Sequence, residues 1–106
     1  MSVIQKKFDD AGPDNTDRSE WAQRALSVFC EDSGLNEEIE RLDAVSDLIC
    51  NLGHYCDRLG LDFIAIASRS IGVWDAEKRE EANDEAGAMY PEREVLISFL
   101  DTKANQ

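Results

Sequence analysis

The residues best suited to chemistry lie close together in residues 47–63, which read DLICNLGHYCDRLGLDF. Cys50 and His54 are four residues apart, so in a helix they are neighbours on one face. Asp43 and Asp47 fall in the same stripe. Thiolate, imidazole and carboxylate groups bind transition metals, but a structural zinc ion needs four ligands and the sequence contains no second cluster of them. We therefore predict no bound metal and no cofactor.

Histidine also suits general acid–base catalysis, because this residue type titrates near neutral pH. Nothing at a recognisable spacing marks a nucleophile for His54 to activate, so we predict no catalytic residue. Cys56 falls on the apolar face of the same helix, where a cysteine behaves as a small hydrophobic core residue. Gly53 costs about 1 kcal/mol relative to alanine inside a helix, which favours the close approach of another helix there.

The acidic residues before this stretch raise the question of magnesium binding. All-α nucleoside triphosphate pyrophosphohydrolases of the MazG type bind magnesium through EExxE on one helix and ExxD on the next. Residues 37–41, EEIER, resemble the first motif but place Arg41 where its third acid belongs. Residues 40–43, ERLD, match the second motif but overlap the first instead of following on another helix. A MazG-like magnesium-dependent pyrophosphohydrolase is therefore kept as an alternative function.

The charge of the chain restricts the class of partner. Its 106 residues include 11 Lys plus Arg against 23 Asp plus Glu, a net charge of −12, so phosphate groups would repel it. This excludes direct binding to nucleic acid or to an anionic membrane. Half of that charge, −6, lies in residues 31–47, where seven acids accompany one base. We expect a partner protein with a basic surface, and solubility is the simplest other role of these acids.

Cysteine usage and hydropathy bear on the compartment. Three cysteines without a CxxC pair make neither a disulfide framework nor a zinc knuckle. No apolar run is long enough for a transmembrane helix, and the opening MSVIQKKFDD lacks the apolar region of a secretory signal. We therefore expect a cytoplasmic protein that forms one domain with one modest core.

Helices must position these residues, and capping residues mark where the helices begin. Residues 1–15 lack periodicity and are predicted to form a tail or lead-in, followed by one helical domain over residues 16–106. Asp17, with Glu20 three residues later, predicts the start of a first helix that ends near Cys30.

The next helices are marked in the same way. Gly34 predicts a stop and Asn36 the N-cap of a second helix, which Gly60 ends. Its apolar positions are Leu42, Val45, Leu48, Ile49, Leu52, Tyr55, Cys56 and Leu59. Asp62 predicts the N-cap of a third helix, and the short link favours an antiparallel hairpin of helices two and three. Pro91 predicts a C-terminal helix, although EVLISFL also fits an edge strand, which would have nothing to pair with.

Residues 47–63 resemble a segment of small, mostly uncharacterised proteins of phages, prophages and plasmids, of the type DLL-C-DL-H-aromatic-C/A-D-x-x-G-[LI]-D-F. The matching residues are Asp47, Leu48, Cys50, Leu52, His54, Tyr55, Asp57, Gly60, Leu61, Asp62 and Phe63. Gly53 departs from the bulkier residue expected at its position. The resemblance implies a mobile-element origin and a bacterial host, and small acidic helical proteins of such elements often inhibit CRISPR–Cas or restriction enzymes.

Taken together, these features predict an all-α fold: a small bundle of three principal helices plus a C-terminal helix, with a homodimer covering the remaining apolar faces. We predict a non-enzymatic acidic binding protein of a phage or mobile element, such as an anti-CRISPR or anti-restriction protein. It would inhibit a host defence or nucleic-acid-handling protein by occupying a basic surface. A structural or assembly subunit is the second alternative. The predicted partner-binding residues are Glu37, Glu38, Glu40, Asp43, Asp47 and His54, with Trp74 and Tyr90 as candidate apolar anchors.

Overall fold

The computed structural model of the chain describes residues 12–82 and 91–99. These residues form three α-helices and no β-strand, which confirms the predicted all-α class. The helices are α1 (Asn15–Ser33), α2 (Arg41–Leu59) and α3 (Phe63–Ala82). The chain divides into two compact units, Met1–Arg58 and Leu59–Gln106. The single domain over residues 16–106 and the hairpin packing of α2 against α3 both stay predictions. Most of the predicted tail lies outside the described residues, as does Tyr90.

Helix α1 begins at Asn15, before the predicted start at Asp17, and it ends at Ser33 and not near Cys30. Its N-cap is Asp14, whose carboxylate accepts a 2.9 Å hydrogen bond from the Asp17 amide. The Asp17 carboxylate accepts one of 3.1 Å from the Asp14 amide. Asp14–Asp17 and the predicted Asp17–Glu20 pair share the same capping spacing, and the earlier start adds backbone hydrogen bonds to the helix. The helix ends at Gly34 in a left-handed conformation, so the predicted stop is confirmed.

The predicted N-cap of α3, Asp62, is confirmed, whereas the prediction that Asn36 caps α2 is wrong, because α2 begins at Arg41 and the Asn36 side chain caps the turn before it. The Asn36 side-chain oxygen accepts hydrogen bonds of 3.0 Å from the amides of Glu38 and Ile39. The resulting turn leads directly into α2, which ends at Gly60 with φ 73°. The Asp62 carboxylate caps α3 by accepting a 3.1 Å hydrogen bond from the Ala65 amide. Asp62 thereby satisfies a backbone amide in the first turn of α3 that has no partner inside the helix.

The core of the first unit lies between α1 and the first half of α2. Leu26 and Cys30 of α1 pack with Ala44 of α2, which is completely buried. Phe29, Leu35 and Leu48 are partly buried against this cluster. Small side chains at the contact allow the two helix backbones to approach closely, so α1 fixes the rotation of α2 about its own axis. That rotation decides which face of α2 is left for other contacts.

In the second unit, residues 91–99 form neither a helix nor a strand, in contrast to the predicted C-terminal helix. They lie against α3 and are held there by ion pairs and hydrogen bonds. Arg93 binds both carboxylate oxygens of Asp75 at 2.6 Å, and Arg79 donates a 2.9 Å hydrogen bond to the carbonyl oxygen of Pro91. A nine-residue helix is marginal by itself, so these contacts decide the conformation of the segment.

Candidate functional site

The predicted partner-binding residues divide between α2 and the turn that precedes it. Successive residues of a helix are about 100° apart, which places Asp43, Asp47, Cys50 and His54 in one stripe along α2. We call these four residues the polar stripe. All four side chains are exposed, so the structure brings three of the predicted residues together on one accessible face. Glu38 is exposed immediately before the helix.

Glu37 and Glu40 differ from the other predicted residues because their carboxylates make hydrogen bonds within the chain. Glu37 accepts a 2.7 Å hydrogen bond from the Ser27 hydroxyl and a 3.4 Å one from the Gln23 amide. Glu40 accepts a 2.8 Å hydrogen bond from the backbone amide of Asn36. Both side chains are half-buried. They hold the turn against α1 and start α2, while their charge still adds to the local negative potential.

The effect of that potential is visible at Cys30. Burial raises the pKa of the Cys30 thiol, and the nearby charges of Glu37 and Glu40 raise it further. A thiolate is the nucleophilic form of cysteine, so burial and the raised pKa both lower the reactivity of Cys30. Cys56 is also buried, as its apolar position predicts, whereas Cys50 is exposed on the polar stripe.

Cys50 and His54, the candidate metal ligands of the polar stripe, are both exposed. Within the described part of the chain, no three His, Cys, Asp or Glu side chains come close enough together to hold a metal ion. Cys50 and His54 are neighbours on α2, but two ligands leave a transition metal with most of its coordination positions open. Glu40, which the magnesium motif would use, is bound to the amide of Asn36.

A second surface of α2 is formed by part of its predicted apolar face. Leu42, Val45, Ile49 and Leu52, here called the apolar stripe, are among the apolar positions that the helical spacing predicts. Their exposed fractions are instead 83%, 45%, 52% and 46%. The polar stripe lies on the opposite side of the helix. The alternating spacing of three and four residues is the signal in the sequence, because it is the spacing of a helix that packs lengthwise on another helix.

An exposed aromatic group of the second unit, Trp74, lies on α3. Trp74 is 57% exposed, and the Lys78 ammonium lies 5.0 Å from the centre of its ring. Trp74 also lines an open groove of about 370 Å³ together with Ile66, Arg69, Ser70, Val73 and Glu77. An exposed tryptophan with an apolar face is accessible to another protein, and the role of Trp74 as an anchor stays a prediction.

None of the three described helices has the combination of length and apolar composition that crossing a membrane requires. The segmental resemblance to proteins of phages and plasmids stays a prediction. Comparison of the chain with protein-family models, with curated proteins and with solved structures found no match.

Proposed function

We propose that the chain is a non-enzymatic binding protein that occupies a basic surface of another protein. The observation that carries the proposal is the exposure of Asp43, Asp47 and His54 along one face of α2, with Glu38 exposed next to it. Two carboxylates one turn apart present a line of negative charge that a row of lysine or arginine side chains can match. His54 adds a hydrogen-bonding group at the far end of this line.

The charge of the chain determines how it would meet such a partner. A net charge of −12 attracts a basic surface over several ångströms and accelerates the encounter, and salt weakens this attraction. Glu37 and Glu40 contribute to the potential even though their oxygens already accept hydrogen bonds. We therefore assign direct contacts to Glu38, Asp43, Asp47 and His54, and a supporting electrostatic role to Glu37 and Glu40.

The kind of partner follows from the same chemistry. Proteins that handle nucleic acids carry basic grooves for phosphate groups, and an acidic protein surface can block such a groove. The resemblance of residues 47–63 to proteins of mobile elements suggests a host defence or nucleic-acid-handling protein as the target. An inhibitor of CRISPR–Cas or restriction enzymes fits this description.

Affinity capture from a bacterial lysate tests the proposal. Tagged protein should retain one nucleic-acid-handling protein at low salt and lose most of it at moderate salt. The variant Glu38→Lys, Asp43→Lys, Asp47→Lys should abolish capture while helicity measured by circular dichroism is unchanged. The matched control is Glu20→Lys, Glu80→Lys, Glu94→Lys, which changes the net charge equally at exposed positions elsewhere. Equal capture by both variants and the parent protein would refute the role of the polar stripe.

Two other functions predict different results in the same preparation. A pyrophosphohydrolase would release pyrophosphate from nucleoside triphosphates in a magnesium-dependent reaction that Glu40→Gln abolishes. A structural or assembly subunit would form large oligomers and capture no host protein. If the capture experiment retained no host protein, nucleotide turnover would favour the pyrophosphohydrolase, and large oligomers would favour the structural subunit.

A further inference from the structure

The apolar stripe of α2 is a surface that the proposed function does not use. Its four residues follow each other at intervals of three, four and three, the a and d positions of a heptad repeat. Leu42 is the most exposed of them at 83%, and the least exposed, Val45, is 45% accessible. A contiguous row of large apolar side chains on the surface is characteristic of an interaction site. The spacing of the apolar stripe is typical of a surface that binds another helix.

Helix α1 does not cover this row. It packs on the neighbouring side of α2, through Ala44 and the partly buried Leu48. At 100° per residue these two positions are about 100° from the centre of the apolar stripe. The first unit therefore holds α2 with one side against α1, the apolar stripe turned away, and the polar stripe on a third side.

The charges around the apolar stripe indicate which kind of helix can bind to it. The positions that flank an a/d row, e and g, determine the pairing of helices by their charge. Here they are Arg41, Ser46, Leu48, Gly53 and Tyr55, and none of them is acidic. Asp43 and Asp47 lie on the opposite side of the helix, away from the seam. A strongly acidic chain can thus meet a second copy of itself at this row without bringing carboxylates into contact.

We propose that two copies of this chain form a homodimer by packing the apolar stripe of one α2 against the apolar stripe of the other. The small residues Ser46 and Gly53 at the edge of the row favour close approach of the two helices. Each α2 then directs its polar stripe outward, so that the dimer carries two acidic faces. This inference does not depend on the function of those faces.

The mass of the full-length protein in solution tests the dimer. Light scattering after size-exclusion chromatography should give twice the 11.9 kDa of one chain at micromolar concentration. The variant Ile49→Lys, Leu52→Lys should raise the dissociation constant about 100-fold or more, because it places charges in the seam. Both side chains are exposed in the single chain, so circular dichroism should show an unchanged helix content. The matched control Asp43→Lys, Asp47→Lys should remain dimeric.

Disulfide trapping identifies the occupant directly. In a Cys50→Ser background, Leu52→Cys should oxidise to a covalent dimer faster than Asp47→Cys, which lies on the outer side. A monomer at all concentrations would overturn the proposal, as would a dimer that Ile49→Lys, Leu52→Lys leaves intact. The double variant Leu52→Cys, Ile71→Cys supplies a further test. If it rapidly formed a disulfide within one chain, the proposal would be overturned, because α3 of the same chain would then cover the apolar stripe.

Discussion

The carbonyl oxygen of Arg93 lies 2.6 Å from the point that a Cβ atom would occupy at Gly72. Real Cβ atoms do not approach a backbone oxygen so closely, so the absence of a side chain at Gly72 is what allows residues 91–99 to lie on α3. A glycine inside a helix ordinarily costs about 1 kcal/mol relative to alanine. Here that cost is offset by the contacts of the segment.

Gly72→Ala should therefore displace residues 91–99 while preserving or raising the helicity of α3. Limited trypsin digestion measures this through the rate of cleavage after Arg93, which should increase several-fold as the segment leaves the helix. Ser70→Ala is the matched control, because Ser70 is exposed on the same helix and donates only to the Ile66 carbonyl. Identical cleavage rates for both variants would show that the close approach is not needed.

The ion pair of Asp75 gives residues 91–99 a defined dependence on pH. Hydrogen bonds from Arg93 are the largest cause that lowers the pKa of the Asp75 carboxyl to about 2; partial burial opposes the shift, and Arg79 lowers the pKa further. Because the pKa in the folded protein is below the ordinary 3.8, the ion pair contributes fully to the stability of the folded protein above about pH 4. This contribution is lost as the pH falls toward 2 and Asp75 is protonated. The NMR signal of the Arg93 Nε–H group should change with a midpoint near pH 2. A midpoint near pH 4, or the same curve in Asp75→Asn, would contradict this assignment.

Local spacing identifies residues that cap neighbouring amides. Asp62 caps α3 as predicted, and Asn36 accepts hydrogen bonds from amides two and three residues ahead, but these amides belong to a turn and α2 begins only at Arg41. For α1 the capping rule fits two positions, because Asp14 and Asp17 are both followed by an acid three residues later, and the predicted one, Asp17, is not the N-cap. Local chemistry restricts the start of α1 to these two positions without choosing between them.

Contacts between distant residues could not be predicted from spacing. The pairing of Arg93 with Asp75 spans eighteen residues and replaces the expected C-terminal helix. The hydrogen bond from Ser27 to Glu37 gives an expected partner-binding residue a structural role. Periodicity also cannot distinguish an apolar face that is buried in its own chain from one that is exposed, so the exposure of the apolar stripe could not be predicted from the sequence.

The hydrogen bond between Ser27 and Glu37 should contribute to the stability of the first unit. Its 2.7 Å length and partial burial predict that Ser27→Ala or Glu37→Ala lowers the free energy of unfolding by about 1 kcal/mol. Urea denaturation measures this difference, and the double variant should lose less than the sum of the two single losses. Glu38→Ala is the matched control at the next, exposed position and should leave stability unchanged. Additive losses in the double variant would mean that the two side chains do not interact.

Thiol labelling should distinguish the three cysteines. Cys50 is exposed on the polar stripe, whereas Cys30 and Cys56 are buried, and burial raises the pKa of the Cys30 thiol. We therefore expect one thiol per chain to react quickly with Ellman's reagent at neutral pH, and all three to react in denaturant. Cys50→Ser should remove the fast phase completely. Two fast thiols in the native protein would show that Cys30 or Cys56 is accessible. The variant Cys30→Ser would then identify the second thiol, because it removes the additional fast reaction only if Cys30 is the accessible residue. An accessible Cys30 would mean that α1 separates from Ala44 of α2.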